Sequence, residues 1–393
     1  MKIAIVGGGV AGVACALTLT QQGFDVSVYE RHASPTDIGA GVVIWPNAAY
    51  VLDQLGVLDE IREHAGHPVH MHRFDLGGEA LGSLDLRLIN AVLGYPSLSI
   101  LRRELMRILI DRLESTGCAI RYAHAVTGIE TGQAGEARVR FADGQCIEPD
   151  LVIGADGRMA SHARRFVHGQ SSPIYQGFIN WVGVCETDGD AFDDSAVQDY
   201  WGIGERFGIV PISRRKAYWA AGLATGETGP NRRSGYRQEL RALSERWPGH
   251  LQNVMEATPL ERINKIYVHD HDPVEVWHRG NVLMVGDAAH APLPTSGQGA
   301  CQALEDAWFL ACCLKPEPRN LQQVMTRFTR LRFQKTAGII RTGRLLAAEL
   351  FSRDVAACQA RNERSKHNDF AAMAKAIARG WGQGLPIGAD QTA

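Results

Sequence analysis

A glycine-rich turn near the amino terminus constrains the fold of this chain more than any other feature. Gly7, Gly9 and Gly12 follow the apolar stretch KIAIVG directly and precede an apolar helical segment that extends to about Gln22. The first glycine permits a tight turn, the second lets the backbone approach a pyrophosphate, and the third lets helix and strand pack closely. The free N–H groups at the helix N-terminus favour a phosphate group. The segment therefore predicts a strand–turn–helix unit that binds a dinucleotide.

An acidic residue at the end of the next predicted strand narrows the choice of dinucleotide. Glu30 ends the stretch DVSVYE, 18 residues after Gly12. A carboxylate at this place can hydrogen-bond ribose hydroxyls, and it disfavours a 2′-phosphate. We therefore expect FAD or NAD, and we include Arg31, Gly41 and Val42 among the predicted cofactor-binding residues.

Two later apolar runs also end in carboxylates and glycines. The first is LVIGADG, and the second is NVLMV, which continues as GDAAH and then as a Gly-Gln-Gly loop that begins a helix. Carboxylates at strand ends can hold hydroxyl groups of a long polar ligand, and the N–H groups of the loop can face an electron-rich ring edge. A simple NAD dehydrogenase does not need this second set, so FAD is favoured. The predicted cofactor residues in these runs are Asp156, Gly286, Asp287, Pro294, Gly297, Gln298 and Gly299.

The hydrophobic pattern indicates an α/β fold with two sheets. Apolar runs that end in glycine turns are typical of a parallel sheet covered on both faces. Between residues 174 and 225, aromatic and β-branched residues alternate with polar ones, which predicts antiparallel strands in a second layer. From about Leu321 the chain is helical in character. We predict a Rossmann-like FAD-binding domain (1–70, 98–172 and 271–335), an antiparallel-sheet substrate domain (71–97 and 173–270) and a C-terminal helical segment (336–393).

Composition excludes several other classes of protein. The formal net charge of −2 gives no reason to expect a nucleic acid or an anionic membrane as partner. No uninterrupted apolar run reaches ~18 residues, so no transmembrane helix is expected, and the glycines after Lys2 do not suit a secretory signal. The eight cysteines include no CxxC pair, which fits a reducing, cytoplasmic location. The histidines around His70 and His269 lack partners at ligand spacing, so no metal is expected.

With these motifs in order over about residues 1–335, the chain resembles the group A FAD-dependent aromatic monooxygenases, the family of p-hydroxybenzoate, salicylate and 6-hydroxynicotinate hydroxylases. The resemblance rests on GxGxxG, the DG motif and GDAAHxxxPxxGQG. It implies that Glu30 binds the FAD ribose and that Arg102, in the pattern RxxLxxxL, contacts the diphosphate region. It also implies that Asp156 lies near FAD and the incoming nicotinamide, that Asp287 binds the ribityl or diphosphate portion, and that Gly297, Gln298 and Gly299 lie beside the flavin pyrimidine.

The same resemblance implies a reaction. A monooxygenase of this family uses NADH or NADPH and O₂ to hydroxylate a small aromatic or heteroaromatic substrate through a flavin C4a-hydroperoxide, and the cofactor carries the redox chemistry. We expect a monomer or a homodimer. The alternatives are an FAD-dependent epoxidase or reductase of the same fold, or a flavin-binding regulator without catalytic activity.

Several local strings are most similar to FAD-dependent urate hydroxylases. They are Trp45-Pro46-Asn47, Tyr175-x-Gly177-x-x-Asn180-Trp181, and Arg206 before a Val-Pro-Ile strand. This similarity implies that Arg206 and Tyr218 face the substrate and are the predicted catalytic residues. The alternative is that Arg206 is a surface charge on a loop. Thr295 stands where an Asp is expected in a urate hydroxylase, which leaves a different heteroaromatic substrate open.

The chain departs from the family pattern at three further positions. Ser161 and Arg164 come one residue later than the usual DGxxSxxR spacing, which weakens their assignment. Cys301 stands where many members carry Asn, and we interpret it as a small structural residue rather than a redox thiol. His290 is interpreted as a packing histidine rather than an acid or base.

Overall fold

The computed structural model describes residues 1–35, 41–132, 136–315 and 320–388. Its strands are β1 Lys2–Val6, β2 Asp25–Tyr29, β3 Gly41–Ile44, β4 His70–Asp75, β5 Ala80–Asp85, β6 Leu98–Leu101, β7 Ile120–Arg121, β8 Val126–Thr131, β9 Ala137–Phe141, β10 Cys146–Ile147, β11 Leu151–Gly154, β12 Ile174–Glu186, β13 Ala196–Trp201, β14 Glu205–Ser213, β15 Lys216–Ala224, β16 Ile263–Asp270, β17 His278–Arg279 and β18 Val282–Met284. Its α-helices are α1 Val10–Gln21, α2 Pro46–Gln54, α3 Leu58–His64, α4 Leu86–Leu93, α5 Arg102–Glu114, α6 His162–His168, α7 Tyr236–Ser244, α8 Gly249–Glu256, α9 Gly299–Cys313, α10 Leu321–Leu350, α11 Val355–Lys366 and α12 Phe370–Gly382.

The first sheet has six strands in the order β17-β18-β11-β1-β2-β7. Strands β18, β11, β1, β2 and β7 run parallel, and β17 is antiparallel to β18. Helix α1 packs against α5 and α9, and α6 packs against β11 and β18. Because both faces of the central strands are covered, their Val, Ile and Leu residues are almost fully buried. The predicted Rossmann-like parallel sheet is confirmed.

The second sheet has seven strands in the order β16-β12-β15-β14-β13-β4-β5. All of its pairs are antiparallel except β13 with β4. One face carries Trp181, Phe207 and Trp219, which pack in a hydrophobic cluster with residues of α7 and α8. The opposite face packs against the two-stranded β3–β6 ribbon through Val210 and Tyr218. The predicted antiparallel layer is therefore present, and its second face meets the nucleotide-binding part of the molecule.

The C-terminal helices close the space between the two sheets. Helix α10 runs along α9, and α11 and α12 pack against β5. Phe351, at the end of α10, stacks on Phe178 of the seven-stranded sheet with ring centroids 4.0 Å apart. The Trp381 ring of α12 lies 4.7 Å from that of Trp45, just before α2. Among the helices of the described residues, none is both long and apolar enough to cross a membrane.

Candidate active site

The glycine-rich turn has the geometry that its sequence requires. Gly7 has a φ of +108°, a conformation that residues with a Cβ rarely adopt. A Cβ on Gly12 would collide with the Gly7 carbonyl oxygen, so the third glycine allows α1 to approach the turn. Gly9 is the N-cap residue of α1, and no side chain caps the first N–H groups of this helix. These N–H groups are therefore available to a phosphate.

Glu30 lies beside this turn, and its carboxylate accepts hydrogen bonds from two backbone N–H groups. Its carboxylate accepts hydrogen bonds from the N–H of Gly8 at 2.7 Å and from the N–H of His32 at 2.9 Å. A Cβ on Gly8 would lie 3.1 Å from the Glu30 Cβ, so this middle glycine leaves room for the carboxylate. The spacing argument identified Glu30 but did not assign a role to Gly8.

A cavity of about 380 Å³ lies at this end of the parallel sheet. Its lining includes the glycine-rich turn together with Glu30, Arg31, Arg102 and Asp156. Tyr122 also lines it, and the buried hydroxyl of Tyr122 has no hydrogen-bond partner within the described residues. An open phosphate-binding helix end and a carboxylate at the ribose position fit the adenosine diphosphate part of a dinucleotide such as FAD.

Arg102 begins α5 and lines this cavity. It also lies within electrostatic reach of Asp287 in the GDAAH segment. Burial lowers the pKa of its guanidinium, and the carboxylate of Asp287 opposes that shift. The two side chains therefore influence each other although they are far apart in the chain. Arg102 lines the nucleotide cavity, whereas Asp287 is near enough to influence its charge but is not part of the lining.

Asp156 uses its carboxylate to cap α6. It accepts hydrogen bonds from the Ser161 hydroxyl at 2.5 Å, from the His162 N–H at 2.6 Å and from the Ala163 N–H at 3.2 Å. Burial raises the pKa of Asp156, against the effect of these hydrogen bonds. Ser161 therefore contacts the DG motif although its spacing departs from the family pattern.

Two arginines connect the DG segment to the GDAAH segment. Buried Arg164 donates to the carbonyl oxygens of Ala288 and Ala289 at 3.1 and 3.3 Å. Arg158, directly after the DG pair, donates to the Asp287 carboxylate from Nη2 at 2.6 Å and from Nε at 3.0 Å. Sequence reasoning missed Arg158, because its partner lies more than a hundred residues away.

The Gly-Gln-Gly loop lies against the β3–β6 ribbon. Gly297 accepts a hydrogen bond at its carbonyl oxygen from the indole N–H of Trp45 at 2.9 Å. Pro294 begins a 3-10 turn before the loop, Gln298 is buried, and Gly299 begins α9. In the facing ribbon, Val42 of β3 pairs with Ile100 of β6.

Gly41, at the start of β3, approaches the second sheet closely. A Cβ at this position would overlap the ring of Tyr218. The glycine is needed here because the aromatic ring occupies the space that a side chain would take. The structure therefore brings the predicted cofactor residue Gly41 and the predicted substrate residue Tyr218 into contact.

Arg206 lies on strand β14 and makes an ion pair with a residue of the neighbouring strand β13. Its Nε is 2.6 Å from Asp199 Oδ1 and its Nη2 is 3.1 Å from Asp199 Oδ2. The Arg206 side chain is 29% exposed and that of Asp199 is 6% exposed. The Trp201 indole N–H also donates to Asp199 at 2.8 Å. The alternative that places Arg206 on a surface loop is wrong, whereas its contact with substrate stays a prediction.

Tyr218 lies on the same face of the sheet as Arg206. In the register of β14 with β15, Arg206 pairs with Gly222 and Val210 pairs with Tyr218, so both side chains point to one side. Between them, a Cβ on Gly208 would meet only two carbonyl oxygens, at 3.9 and 4.0 Å. No side chain stands at Gly208 between the arginine and the tyrosine, and a Cβ there would make only ordinary van der Waals contacts.

The positions of two further residues, Trp181 and Cys301, can be compared with the sequence analysis. Trp181, part of a string similar to urate hydroxylases, packs on the opposite face of the sheet from Tyr218, against Tyr236 of α7, with ring centroids 4.7 Å apart. Cys301 is buried and its Sγ lies 3.6 Å from the Val43 carbonyl oxygen. Burial raises the pKa of this thiol to about 12, which disfavours a reactive thiolate.

His290 is buried and pairs with an acidic residue of α9. Its Nε2 is 2.6 Å from Asp306 Oδ2, and its ring lies 5.1 Å from that of Trp277. Both His290 and Asp306 are buried. In the part of the chain that the structure describes, no group of three or more His, Cys, Asp or Glu residues is arranged to hold a metal ion.

Comparison with known proteins relates this geometry to characterised enzymes. A family model described as FAD binding domain matches residues 1–319. Aurachin C monooxygenase/isomerase from Stigmatella aurantiaca is 32% identical over 350 residues, which cover 88% of this chain and 89% of that protein. An FAD-dependent urate hydroxylase from Mycolicibacterium vanbaalenii is 29% identical over 342 residues, with 86% of each chain covered.

A solved structure is also similar over nearly the whole chain. It is Klebsiella pneumoniae HpxO complexed with FAD and uric acid, which superposes with a TM-score of 0.88 at 25% identity. The similarity covers 97% of this chain and 96% of that one.

Proposed function

This chain belongs to the group A FAD-dependent aromatic hydroxylases, and from that premise we propose a monooxygenase that uses NADH or NADPH and O₂ to hydroxylate a small aromatic or heteroaromatic substrate. The observation that carries the proposal is the close approach of the two predicted sites. Glu30 and Arg102 line the nucleotide cavity at the end of the parallel sheet. Gly41, a predicted cofactor residue of the β3–β6 ribbon, contacts the ring of Tyr218 on the second sheet.

The cofactor part of the site is assigned to residues of the parallel sheet and its loops. When bound, FAD supplies the redox and oxygen chemistry. Glu30 binds the ribose, Arg102 and the N–H groups at the start of α1 bind the diphosphate, and Asp287 binds hydroxyls further along. The backbone N–H groups of the Gly-Gln-Gly loop stabilise negative charge on the ring edge. The sequence contains no second GxGxxG motif. We therefore assign NADH or NADPH to the FAD-binding part of the site rather than to a separate nucleotide-binding domain.

The substrate part is assigned to the face of the second sheet that meets the β3–β6 ribbon. Asp199 accepts from Nε and Nη2 of Arg206, which leaves the Nη1 group for a ring carbonyl or an anionic oxygen. Burial raises the pKa of Tyr218, so its hydroxyl keeps its proton at neutral pH and acts as a hydrogen-bond donor rather than as a base. A phenol-like or carbonyl-rich ring suits these two donors.

The known activities of relatives help to choose the substrate class. Similar proteins include a urate hydroxylase and a 6-hydroxynicotinate 3-monooxygenase, both named for heteroaromatic substrates. Thr295 donates to the Gly343 carbonyl oxygen at 3.2 Å and supplies no carboxylate where we expect one in a urate hydroxylase. We therefore propose a heteroaromatic substrate without restricting it to urate.

A substrate screen of the purified protein tests this proposal. We expect roughly one FAD per chain, and oxidation of NADH or NADPH with matching O₂ uptake in the presence of one compound among phenolic acids, hydroxypyridines, quinolones and purines. With ¹⁸O₂, the product should gain one labelled oxygen atom.

Three results would contradict the proposal in different ways. A protein that binds no FAD after reconstitution would exclude a flavoenzyme. Substrate reduction without O₂ uptake would favour the reductase alternative, and an epoxide product would favour the epoxidase. Size-exclusion chromatography of the same sample would distinguish the monomer from the homodimer.

A further inference from the structure

Three charged side chains lie together on the sheet face that also carries Tyr218. Arg73 of β4 pairs in register with Asp199 of β13, and Trp201 of β13 pairs with Arg206 of β14. Side chains two residues apart on a strand point to the same side of the sheet. Arg73, Asp199 and Arg206 are therefore neighbours on the face that meets the β3–β6 ribbon, and we call them the arginine cluster.

The arginine cluster has more positive charge than its carboxylate can balance. Asp199 already accepts from Nε and Nη2 of Arg206 and from the Trp201 indole. Among the residues that the structure describes, no hydrogen bond joins Arg73 to this carboxylate. Burial lowers the pKa of the Arg73 guanidinium, Asp199 opposes this shift and Arg206 adds to it. A partly buried excess charge is costly unless an anion accompanies it.

Aromatic rings rather than hydrogen-bond acceptors hold Arg73 in place. Its Cζ lies 5.1 Å from the centroid of the Trp201 ring and 5.3 Å from that of Phe370 in α12. Its Nη2 reaches only the thioether of Met373, at 3.9 Å, which is a weak acceptor. No hydrogen bond of the described chain uses its Nη1. Arg361 also stacks on Trp201, but it is buried and its Nη groups donate to backbone carbonyl oxygens.

A ligand can reach the arginine cluster across two small residues. Asp199 pairs in register with Gly208, and Gly208 pairs with Ala220. Both small residues are partly exposed, whereas their neighbours on the opposite face of the sheet are buried. The accessible surface is therefore on the side of the arginine cluster. Arg73 is also partly exposed, and the Arg206 side chain is 29% exposed.

Beyond these small residues the same face becomes apolar. Val197, Val210 and Tyr218 form a hydrophobic cluster there, against which Met71 and Val43 pack. The face thus changes from apolar at Tyr218 to cationic at the arginine cluster, with a flat area between. A compound with a flat ring and one anionic substituent is complementary to this sequence of surfaces. A carboxylate suits it best, because its two oxygens can accept from two planar guanidinium groups.

We propose that Arg73 and Arg206 form an anion subsite, in which their Nη1 groups bind the carboxylate of an aromatic or heteroaromatic acid whose ring lies over Gly208 and Ala220. Arg73 is then a specificity-determining residue, and Asp199 positions Arg206. This inference rests on the proposed function and narrows its substrate class to ring compounds that carry a carboxylate.

The first experiment uses wild-type protein loaded with FAD and does not depend on the folding of a variant. Isothermal titration calorimetry compares acids with their carboxamides, which have the same shape and no charge. The pairs are p-hydroxybenzoate and p-hydroxybenzamide, salicylate and salicylamide, and 6-hydroxynicotinate and 6-hydroxynicotinamide. At least one acid should bind about tenfold or more tightly than its amide, because only the acid makes charge-assisted hydrogen bonds.

The second experiment repeats the titration with Arg73→Met, which keeps an apolar stem beside the two rings and removes the charge. Affinity for the acid should fall about tenfold, while affinity for the amide and FAD content should stay at the wild-type level. Arg73→Lys should recover part of the preference, because it restores the charge without the planar fork. A purely structural role of Arg73 would change the affinities for acid and amide together.

The matched control is Arg279→Met. Arg279 also stacks on an aromatic ring, that of Phe166 at 5.4 Å, but it belongs to the six-stranded sheet. This variant loses the same charge and a comparable ring contact, so its preference for acid over amide should equal that of the wild type.

The outcomes separate this inference from the proposed function. If wild-type protein binds no FAD, the proposed function fails, and the anion subsite fails with it. If the protein binds FAD and hydroxylates a ring compound but binds no acid more tightly than its amide, only the anion subsite is wrong, whatever the stability of the variants. If the preference for the acid survives unchanged in Arg73→Met, Arg73 does not contact the carboxylate.

Discussion

The ion pair between Arg206 and Asp199 gives Arg206 two separable roles, and a double-mutant cycle distinguishes them. Arg206 makes two charge-assisted hydrogen bonds to a carboxylate that is only 6% exposed. Arg206→Gln leaves that carboxylate with the Trp201 indole as its main remaining donor. Hydrogen bonds to charged groups contribute about 1.5–3 kcal/mol. Since Arg206 itself is 29% exposed, we expect the free energy of unfolding to fall by about 2 kcal/mol.

Asp199→Asn should have a smaller effect on stability, because the substituted amide still accepts one bond from Arg206. In the double variant, Gln and Asn face each other without a buried charge, so the losses should not add, and the coupling should reach about 1 kcal/mol. Urea unfolding of the FAD-saturated proteins, followed by tryptophan fluorescence, measures these differences.

The same variants report on substrate binding. If Arg206 contacts the substrate, Arg206→Gln should raise KM about ten- to a hundredfold or reduce the coupling of NAD(P)H oxidation to product. Arg206→Lys should restore only part of this loss, because lysine lacks the planar fork. FAD content should stay at the wild-type level. If Arg206→Gln lowers stability but leaves KM and coupling unchanged, Arg206 stabilises the sheet and does not contact the substrate. If the stability losses of the two single variants add in the double variant, the ion pair is refuted.

Three further predictions follow from the described site. Glu30→Ala should raise the FAD dissociation constant about ten- to a hundredfold, as one charge-assisted contact is lost; fluorescence titration measures this, and an unchanged constant would refute the ribose assignment. Gly41→Ala should lower the melting temperature and the FAD content, because its Cβ would overlap the ring of Tyr218, and Tyr218→Leu in the same chain should recover part of both. Because burial raises the pKa of Cys301 to about 12, this thiol stays protonated between pH 7 and 9. Peptide mapping after a thiol reagent should find the exposed Cys146 labelled and Cys301 unlabelled in native protein, and rapid labelling of Cys301 would contradict its burial.

Local sequence was enough to predict the nucleotide end of the molecule. The turn at Gly7, the N-terminus of α1 and the strand that leads to Glu30 are set by adjacent residues, whose steric and hydrogen-bonding needs can be read from spacing. The extra residue before Ser161 suggested a weakened contact, yet Ser161 still reaches Asp156 at 2.5 Å. A loop can absorb one residue when its two ends are held by a strand and a helix.

Long-range partners were not predictable in this way. Arg158 and Asp287 are 129 positions apart, and Asn47 and Glu305 are 258 positions apart. Spacing carries no information about such pairs. A partial signal was present in α9, where Glu305 and Asp306 interrupt an otherwise apolar helix, because buried charges require partners. Asp199 and Gly208, which lie beside Arg206, were missed for a related reason, since they become its neighbours only once the register of the strands is known.

The contact between α12 and the cofactor loop has a consequence for how the protein is made. Trp381 packs on Trp45, whose indole donates to the Gly297 carbonyl oxygen. Lys335 of α10 donates to the carbonyl oxygens of Trp381 and Gln383 at 2.6 and 3.2 Å. The loop leaves the ribosome well before the helix that supports it. The residues that line the nucleotide cavity, from Val6 to His162, are therefore made long before α12, whereas the packing of Trp381 on Trp45 beside the loop is completed only after α12 has docked.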